Sequence, residues 1–291
     1  MQYFIMGATG YIGSYLFQAF QKDGAFVIGT SRKYSDKDNM VFYDIEKDTI
    51  NNIRTDTYED KKIAIVCIGE TNIDKCYTDY EKAYNINVIK TQKLIQELSD
   101  KNFRIIYFSS DCVFDGRKGG YTEESQTNAL NKYGMMKVEL EHYLLDEIPD
   151  ACILRIPKIV SALREKQNIL EMWMDSIKNR VVTCIKGNRM SFLYMDDIYH
   201  VCRIVAEQEL HGLYNIAGDS AYSRAELARK FYNKLGILEN ITIQEWDLEQ
   251  FSFKDIRPLN ISMSNQKFKR ETGYQFTDMD TVIEAYINHL P

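Results

Sequence analysis

The amino-acid sequence predicts an α/β protein built on a doubly wound parallel sheet. Short β-branched or aromatic runs alternate with longer runs of helical periodicity, and this alternation is typical of βαβ units. Runs such as IAIVCIG are apolar at nearly every position, as expected of parallel strands that helices cover on both faces. A glycine-rich turn, GATGYIG, joins the first strand to the first helix. Together these three observations indicate the fold class.

The elements follow one another along the chain. In the first half we predict strands at 2–6, 25–30, 40–45, 61–69, 103–110 and 151–156, and helices at 12–22, 78–98 and 132–146. After Pro157 the pattern is looser, and it predicts helices at 167–179, 195–208, 223–235 and from 278 onward, with strands near 181–185 and 212–218. We expect parts of 190–217 to complete the sheet.

Composition argues against several classes of protein. The chain has 291 residues, 45% of them hydrophobic, which is enough to bury a sizeable core. Its net charge of −6 disfavours a nucleic-acid partner, because clusters of Lys and Arg hold phosphate backbones. The six cysteines lack CxxC spacing and the four histidines are dispersed, so we expect reduced thiols, a cytoplasmic location and no metal site. No apolar stretch approaches the roughly 20 residues of a membrane helix, and no membrane partner is expected.

Three glycines, Gly7, Gly10 and Gly13, separate the first strand from the first helix. A glycine has no Cβ, so a bulky group can lie against its backbone. The turn directs N–H groups at the amino end of the helix toward an anion, and the helix dipole favours a pyrophosphate there. The alternative is a tight turn that binds no ligand. The position of the three glycines in the first βα unit favours dinucleotide binding. We therefore predict a dinucleotide-binding domain over 1–156 and a mainly substrate-binding, interleaved lobe over 157–291. The predicted pyrophosphate-binding residues are Gly7, Thr9, Gly10, Tyr11, Ile12 and Gly13.

The ends of the next strands carry the other predicted cofactor contacts. Ser31 and Arg32 stand where a carboxylate would otherwise bind the adenosine ribose, so NADP is favoured and NAD is the alternative. Arg32 could equally be a solvated surface charge. Asp44, followed by Ile45, can meet the adenine edge or cap the helix after it. Gly69 ends the fourth strand and completes the predicted set.

The predicted chemistry lies in a serine, a tyrosine and a lysine. Tyr133 and Lys137 are four residues apart in a helical pattern, so their side chains share one face. A neighbouring ammonium favours the phenolate and lowers the pKa of the phenol, which makes Tyr133 a usable general acid. Ser110 ends a parallel strand, where it can hydrogen-bond the same substrate oxygen. A lone YxxxK pair can belong to an ordinary exposed helix; the order of glycine turn, serine and YxxxK favours catalysis.

Four segments of the chain resemble the extended short-chain dehydrogenase/reductase superfamily, and within it the dTDP-4-dehydrorhamnose reductase branch: GATGYIG, FSSDCVFDG, YTEESQTNALNKYGMMKVELE and RPLNISMSNQKFKRETG. The similarity spans nearly the whole chain. It implies a Rossmann-like fold and an NADP(H)-dependent reductase of a nucleotide-activated 4-keto-deoxysugar. It also implies Ser110, Tyr133 and Lys137 as the catalytic set, with Lys137 on the nicotinamide ribose and Asp111 supporting the site.

The expected partner is a nucleotide sugar, whose phosphate oxygens suit planar guanidinium groups. Asp111 is a candidate substrate-binding residue, and the basic candidates are Arg155, Arg189 and Arg257, with Lys158 close to Arg155 in the sequence. Each of the basic residues could instead pair with one of the acidic residues.

Two features keep other functions open. The turn CIGETNIDKC places Glu70 and Thr71 near the predicted cofactor, where the branch usually has a small, alanine-rich turn. The segment ILRIP is also similar to the regulatory β subunit of methionine adenosyltransferase, a relative in which a reductase-like fold serves as a partner protein. The alternatives are a nucleotide-sugar epimerase or dehydratase of the same superfamily, and a non-catalytic dinucleotide-binding subunit. A homodimer is compatible with each.

Overall fold

The computed structural model describes residues 1–33, 38–53, 61–165 and 168–290. Its strands are β1 (Gln2–Met6), β2 (Phe26–Ser31), β3 (Met40–Phe42), β4 (Lys62–Val66), β5 (Phe103–Ser110), β6 (Cys152–Ile156), β7 (Lys158–Val160), β8 (Val181–Ile185), β9 (Met190–Tyr194), β10 (Gly212–Asn215), β11 (Ala221–Tyr222) and β12 (Thr242–Trp246). Its α-helices are α1 (Tyr11–Lys22), α2 (Ile73–Thr78), α3 (Tyr80–Tyr84), α4 (Thr91–Asp100), α5 (Lys132–Glu147), α6 (Ile169–Ser176), α7 (Met195–Glu207), α8 (Arg224–Lys234), α9 (Gln266–Thr272) and α10 (Met279–Asn288).

Among the described residues, seven strands form a central parallel sheet in the order β10-β6-β5-β4-β1-β2-β3. In the middle of this sheet Gln2 is in register with both Phe26 and Lys62, and Lys62 is in register with Phe103. These four strands therefore begin at one level and run the same way. The loops that follow β1, β2 and β4 consequently leave from one edge of the sheet, which is also the edge where β5 ends.

Helices cover both faces of this sheet because successive side chains of each strand point to opposite sides. Phe4 belongs to a buried cluster with Leu94 of α4 and Leu140 of α5. Its neighbour Tyr3 stacks on Phe20 of α1, with 4.0 Å between ring centroids. The predicted doubly wound α/β class is confirmed, and the architecture is Rossmann-like.

The chain divides into two compact units. Unit 1 comprises 1–110, 131–154 and 199–213, and it contains most of the central sheet. Unit 2 comprises 111–130, 155–198 and 214–291, with a three-stranded sheet in the order β11-β9-β7 and a parallel pair of β12 and β8. Of the region expected to complete the central sheet, β10 joins it, whereas β9 pairs with β7 and β11.

The sequence pattern merged several elements or missed them. The single helix predicted at 78–98 is α3, a π-helix over Asn85–Lys90, and α4, and a separate short helix, α2, precedes them. The short strands β7, β11 and β12 were not predicted, because each is too short or too mixed in polarity to stand out. Within the described ranges, none of the helices combines the length and apolar character needed to cross a bilayer.

Candidate active site

The glycine turn after β1 is held by the end of β2. The N–H of Gly7 donates to the Thr30 hydroxyl at 2.9 Å, and the N–H of Ala8 donates to the Thr30 carbonyl at 2.8 Å. Helix α1 begins directly after Gly10, and among the described residues no side chain hydrogen-bonds to cap its amino end. The positive end of the helix dipole therefore lies at the loop edge of the sheet.

The glycines of this turn serve different purposes. A Cβ on Gly13 would lie 2.3 Å from the Gly7 carbonyl oxygen, so glycine is needed there for the helix to pack against the turn. At Gly10 the backbone is extended (φ −76°, ψ 171°), and a Cβ would meet, among described atoms, just the Gly7 oxygen at an ordinary 3.4 Å. Neither packing nor backbone conformation requires glycine at position 10. Gly10 therefore leaves open space beside the backbone, and a phosphate group would fit into that space.

The other predicted cofactor residues lie at the same edge. Ser31 is the last residue of β2 and is buried, its hydroxyl accepting the N–H of Lys33 at 3.0 Å, and Arg32 beside it is exposed. Asp44 heads a hydrogen-bonded turn rather than a helix, and its carboxylate accepts the N–H of Glu46. Ile45 is buried behind it.

The turn after β4 is fixed by Asn87 of the π-helix. The Asn87 side chain accepts the N–H of Glu70 at 2.8 Å and donates to the Glu70 carbonyl at 2.9 Å. Gly69, just before it, is exposed with φ +154°. The Glu70 carboxylate accepts the N–H of Asn72 and lies 3.7 Å from the Lys75 ammonium. The charge that the sequence placed near the cofactor is thus bound by the start of α2, and sequence reasoning missed Asn87 altogether.

The three candidate catalytic residues all lie in unit 1. Asn131 starts α5 by accepting the N–H of Gly134 at 2.8 Å, and the helix then presents Tyr133 and Lys137 on its buried face. The Lys137 ammonium donates to the Phe108 carbonyl at 2.8 Å and lies 5.7 Å from the centre of the Tyr133 ring. Phe108 is two residues before Ser110, the buried last residue of β5. The structure therefore joins Tyr133 and Lys137 to the end of the strand that carries Ser110.

The electrostatics of Lys137 follow from its burial. Its ammonium also donates to the Tyr107 hydroxyl at 2.7 Å. Burial lowers the pKa of Lys137 to about 8, and the charge of Glu141 opposes that change. Burial raises the pKa of Tyr107 well above its usual value, so its hydroxyl stays neutral. Lys137 is consequently an ammonium at neutral pH, but with a smaller margin than a surface lysine.

The predicted substrate-binding residues belong to unit 2. Asp111 is buried at the start of a short 3₁₀-helix, and Arg155 is buried with its guanidinium 5.0 Å above the Phe114 ring. Arg189 is half-exposed, forms an ion pair with Glu226 at 3.2 Å, and borders an open depression of about 590 Å³. Arg257 stacks on Phe253 at 4.5 Å.

A cluster of cations in unit 2 includes one residue that the sequence did not single out. Burial lowers the pKa of Arg224, with Arg257 adding to that effect, and the Nε of Arg224 is buried without a hydrogen-bond partner among the described residues. Burial and Arg224 together lower the pKa of Lys158, while Asp111 raises it. Arg224 thus acts as a like charge on Lys158, and Arg257 acts as a like charge on Arg224. We call these three residues the cation cluster; such a set suits a polyanion. In the described ranges no group of acidic, His or Cys side chains has the geometry of a metal site.

Known proteins share both sequence and fold with this chain. The methionine adenosyltransferase 2 subunit beta of Danio rerio is 26% identical over 235 residues, covering 77% of this chain and 70% of that protein. A structure described as a hypothetical dTDP-4-dehydrorhamnose reductase from Sulfolobus tokodaii is 25% identical, with a TM-score of 0.81 over 96% of this chain and 98% of that one. The Bacillus anthracis dTDP-4-dehydrorhamnose reductase, solved in complex with NADP, is 19% identical and shares the fold over the full length of both chains, with a TM-score of 0.85.

These similarities confirm the resemblance predicted from the four sequence segments. The family described as RmlD substrate binding domain matches residues 1–291, the entire chain. The protein therefore belongs to the RmlD substrate binding domain family.

Proposed function

We propose that this protein is an NADP(H)-dependent reductase of the 4-keto group of a nucleotide-activated deoxysugar. The observation that carries the proposal is the buried Lys137 of α5. Its ammonium hydrogen-bonds to Tyr107 and Phe108 of β5 and lies beside the Tyr133 ring at the loop edge of the sheet. The positive charge of this ammonium favours the phenolate form of Tyr133, as a tyrosine that gives up a proton during the reaction requires. The family match and the similarity to the Sulfolobus tokodaii protein support the same reaction class.

The residues at the loop edge of unit 1 have different roles in the proposed reaction. NADPH, when bound, supplies the hydride to the carbonyl carbon. Ser110 hydrogen-bonds the carbonyl oxygen, and Tyr133 gives its proton to that oxygen, so the ketone becomes an alcohol and the tyrosine a phenolate. Lys137 stabilises the phenolate by its charge. The open space at Gly10 and the uncapped start of α1 suit the pyrophosphate, and Arg32 suits the 2′-phosphate that distinguishes NADP from NAD.

We propose that the cation cluster of unit 2 binds the diphosphate of the nucleotide sugar. Lys158 and Arg224 are partly buried, burial lowers the pKa of both groups, and the charge of Arg224 lowers the pKa of Lys158 further while Asp111 opposes this. A diphosphate would offset this repulsion and supply an acceptor for the Nε of Arg224.

The decisive experiment measures NADPH oxidation with dTDP-, GDP- and UDP-linked 4-keto-6-deoxysugars. Tyr133→Phe removes one oxygen and should lower kcat by about 10²- to 10⁴-fold, with NADPH affinity and thermal stability near wild type. Tyr143→Phe is the matched control: Tyr143 lies on the same helix, but its hydroxyl bonds Gln96 at an exposed position. Its turnover should equal that of the wild type. Equal turnover by Tyr133→Phe would refute the assigned role.

The similarity to a methionine adenosyltransferase subunit favours one rival, a dinucleotide-binding partner protein. That rival is supported if the wild type binds NADPH, reduces none of these substrates and co-purifies with another protein in fixed stoichiometry. An epimerase, the other rival, would convert its substrate without net NADPH consumption. We propose a cytoplasmic location for the protein, and the free thiols of its six cysteines are compatible with that proposal.

A further inference from the structure

A buried carboxylate lies on the same helix face as the two candidate catalytic residues. Glu141 follows Lys137 by one helical turn on α5, and just 1% of its surface is exposed. The Ser109 hydroxyl of β5 donates a hydrogen bond to its Oε1 atom. A glutamate this deeply buried is rare unless it has a partner that stabilises its charge. The reaction outlined above assigns it no role.

The groups around Lys137 show what that role is. They come from β5 (Tyr107 and the Phe108 carbonyl), from α5 (Tyr133 and Glu141), from the end of β4 (Cys67) and from α2 (Cys76). Burial raises the pKa of the Cys67 thiol to about 12 and that of Tyr107 well above its usual value, so both are neutral. Glu141 is the carboxylate of this set, and after burial its charge has the largest effect on the pKa of Lys137, which it raises.

We propose that Glu141 is a positioning residue that keeps Lys137 in its charged form, held in place for that purpose by Ser109. Residues 133, 137 and 141 then form a series along α5. The carboxylate of Glu141 stabilises the charged ammonium of Lys137, and that ammonium stabilises the phenolate of Tyr133. The catalytic importance of this series rests on the proposed reductase function. The effect of Glu141 on Lys137 does not, and can be measured without substrate or cofactor.

The size of the effect can be bounded. With Glu141 present, burial already brings the pKa of Lys137 to about 8. Two charges one helical turn apart in a protein interior of effective dielectric about 20 shift each other's pKa by at least about one unit. Without the carboxylate, much of Lys137 would therefore be neutral at pH 7 to 8.

Glu141→Gln tests this, because the amide oxygen can still accept the Ser109 hydroxyl while the charge is lost. The protein is labelled with ¹³C at lysine Cε, and the Lys137 resonance is assigned as the one missing in Lys137→Met. Its chemical shift is then followed from pH 6 to 11 without ligand. Glu139→Gln is the control: it is the same substitution on an exposed residue of α5 that bonds Tyr84.

We expect the Lys137 midpoint to fall by at least about one pH unit in Glu141→Gln and to stay unchanged in Glu139→Gln. An unchanged midpoint in a folded Glu141→Gln protein overturns the inference and leaves Glu141 a structural residue. If Glu141→Gln does not fold, Glu141→Met carries the same expectation, because apolar residues of similar volume often replace buried ions without loss of stability.

Turnover gives the second readout and separates the two proposals. If the wild type reduces a 4-keto sugar, the alkaline limb of its kcat profile should move to lower pH in Glu141→Gln, with activity near wild type at pH 6. A uniform fall in kcat at every pH overturns the inference while leaving the reductase assignment standing. If the wild type reduces no substrate, the reductase assignment fails, and the ¹³C titration still decides the role of Glu141.

Discussion

Replacing Gly10 by alanine should separate dinucleotide binding from folding. The added Cβ would lie 3.4 Å from the Gly7 carbonyl oxygen, which is ordinary contact, and the backbone at Gly10 has a conformation that alanine adopts freely. The variant gains about 0.4–1 kcal/mol from a less flexible unfolded chain and loses a similar amount because alanine is a poorer helix N-cap than glycine. The free energy of unfolding should therefore stay within about 1 kcal/mol of wild type.

NADPH binding should respond quite differently. If the pyrophosphate lies against Gly10, the methyl group occupies its place, and affinity should fall by about 10- to 100-fold, equivalent to about 1.4–2.7 kcal/mol. Titration by fluorescence or calorimetry measures the affinity. Thermal unfolding with and without NADPH gives an independent check, since a ligand at 100 times its Kd stabilises the folded state by about 2.7 kcal/mol.

Gly13→Ala provides the contrast. Its Cβ would overlap the Gly7 oxygen at 2.3 Å, so the turn and α1 must move apart. Overpacking of this kind costs about 1–3 kcal/mol, and this variant should lose stability even without ligand. Full NADPH affinity in Gly10→Ala would refute the placement of the pyrophosphate. Undiminished stability in Gly13→Ala would refute the close packing of the turn.

Three other perturbations follow from the same structure. Arg32→Ala should weaken NADPH binding several-fold and leave NADH binding unchanged in parallel titrations, and equal losses for both would remove the basis for NADP. Arg224→Met should weaken binding of free dTDP or UDP by about 10-fold or more without changing NADPH affinity, whereas Arg229→Met on the same helix should change neither; calorimetry distinguishes them. Lys137 has a folded-state pKa of about 8, below its usual 10.5, so the unfolded state binds more protons above pH 8 and the wild type gains stability there. The stability of Lys137→Met relative to wild type should accordingly fall by about 2 kcal/mol between pH 8 and 9.5 in urea unfolding, and a pH-independent difference would contradict the lowered pKa.

The features that the sequence could predict are those whose causes are local. Strand and helix periodicity, the glycine turn and the pairing of Tyr133 with Lys137 each depend on residues within about one βα unit. The fold class followed because burial on both faces is visible as continuous apolar strands. The sharing of one helix face by Tyr133 and Lys137 was accessible for the same reason, since spacing alone decides which side chains share a face.

The features that escaped prediction depend on segments far apart in the chain. Ser109 meets Glu141 across 32 residues, and Arg224 acquires its significance from the charges of Lys158 and Arg257. In sequence, spacing puts Glu141, and not Glu139, on the helix face of Tyr133 and Lys137, but it does not show that the Glu141 carboxylate is buried against Ser109. Burial separates the two, and burial is set by how α5 packs on β5.

The π-helix over Asn85–Lys90 is a local feature that hydrophobic periodicity did not predict, although it contains a residue that holds the candidate site together. The apolar pattern of 78–98 predicts one continuous helix, because a single wide turn disturbs the 3.6-residue repeat too little to be noticed. That wide turn over Asn85–Lys90 contains Asn87, whose amide pairs with both the N–H and the carbonyl of Glu70. An asparagine used in this way fixes the turn after β4 as a neighbouring strand would. The departure from regular helix therefore lies at the residue that holds the turn after β4, and a sequence rule based on the 3.6-residue repeat does not reveal it.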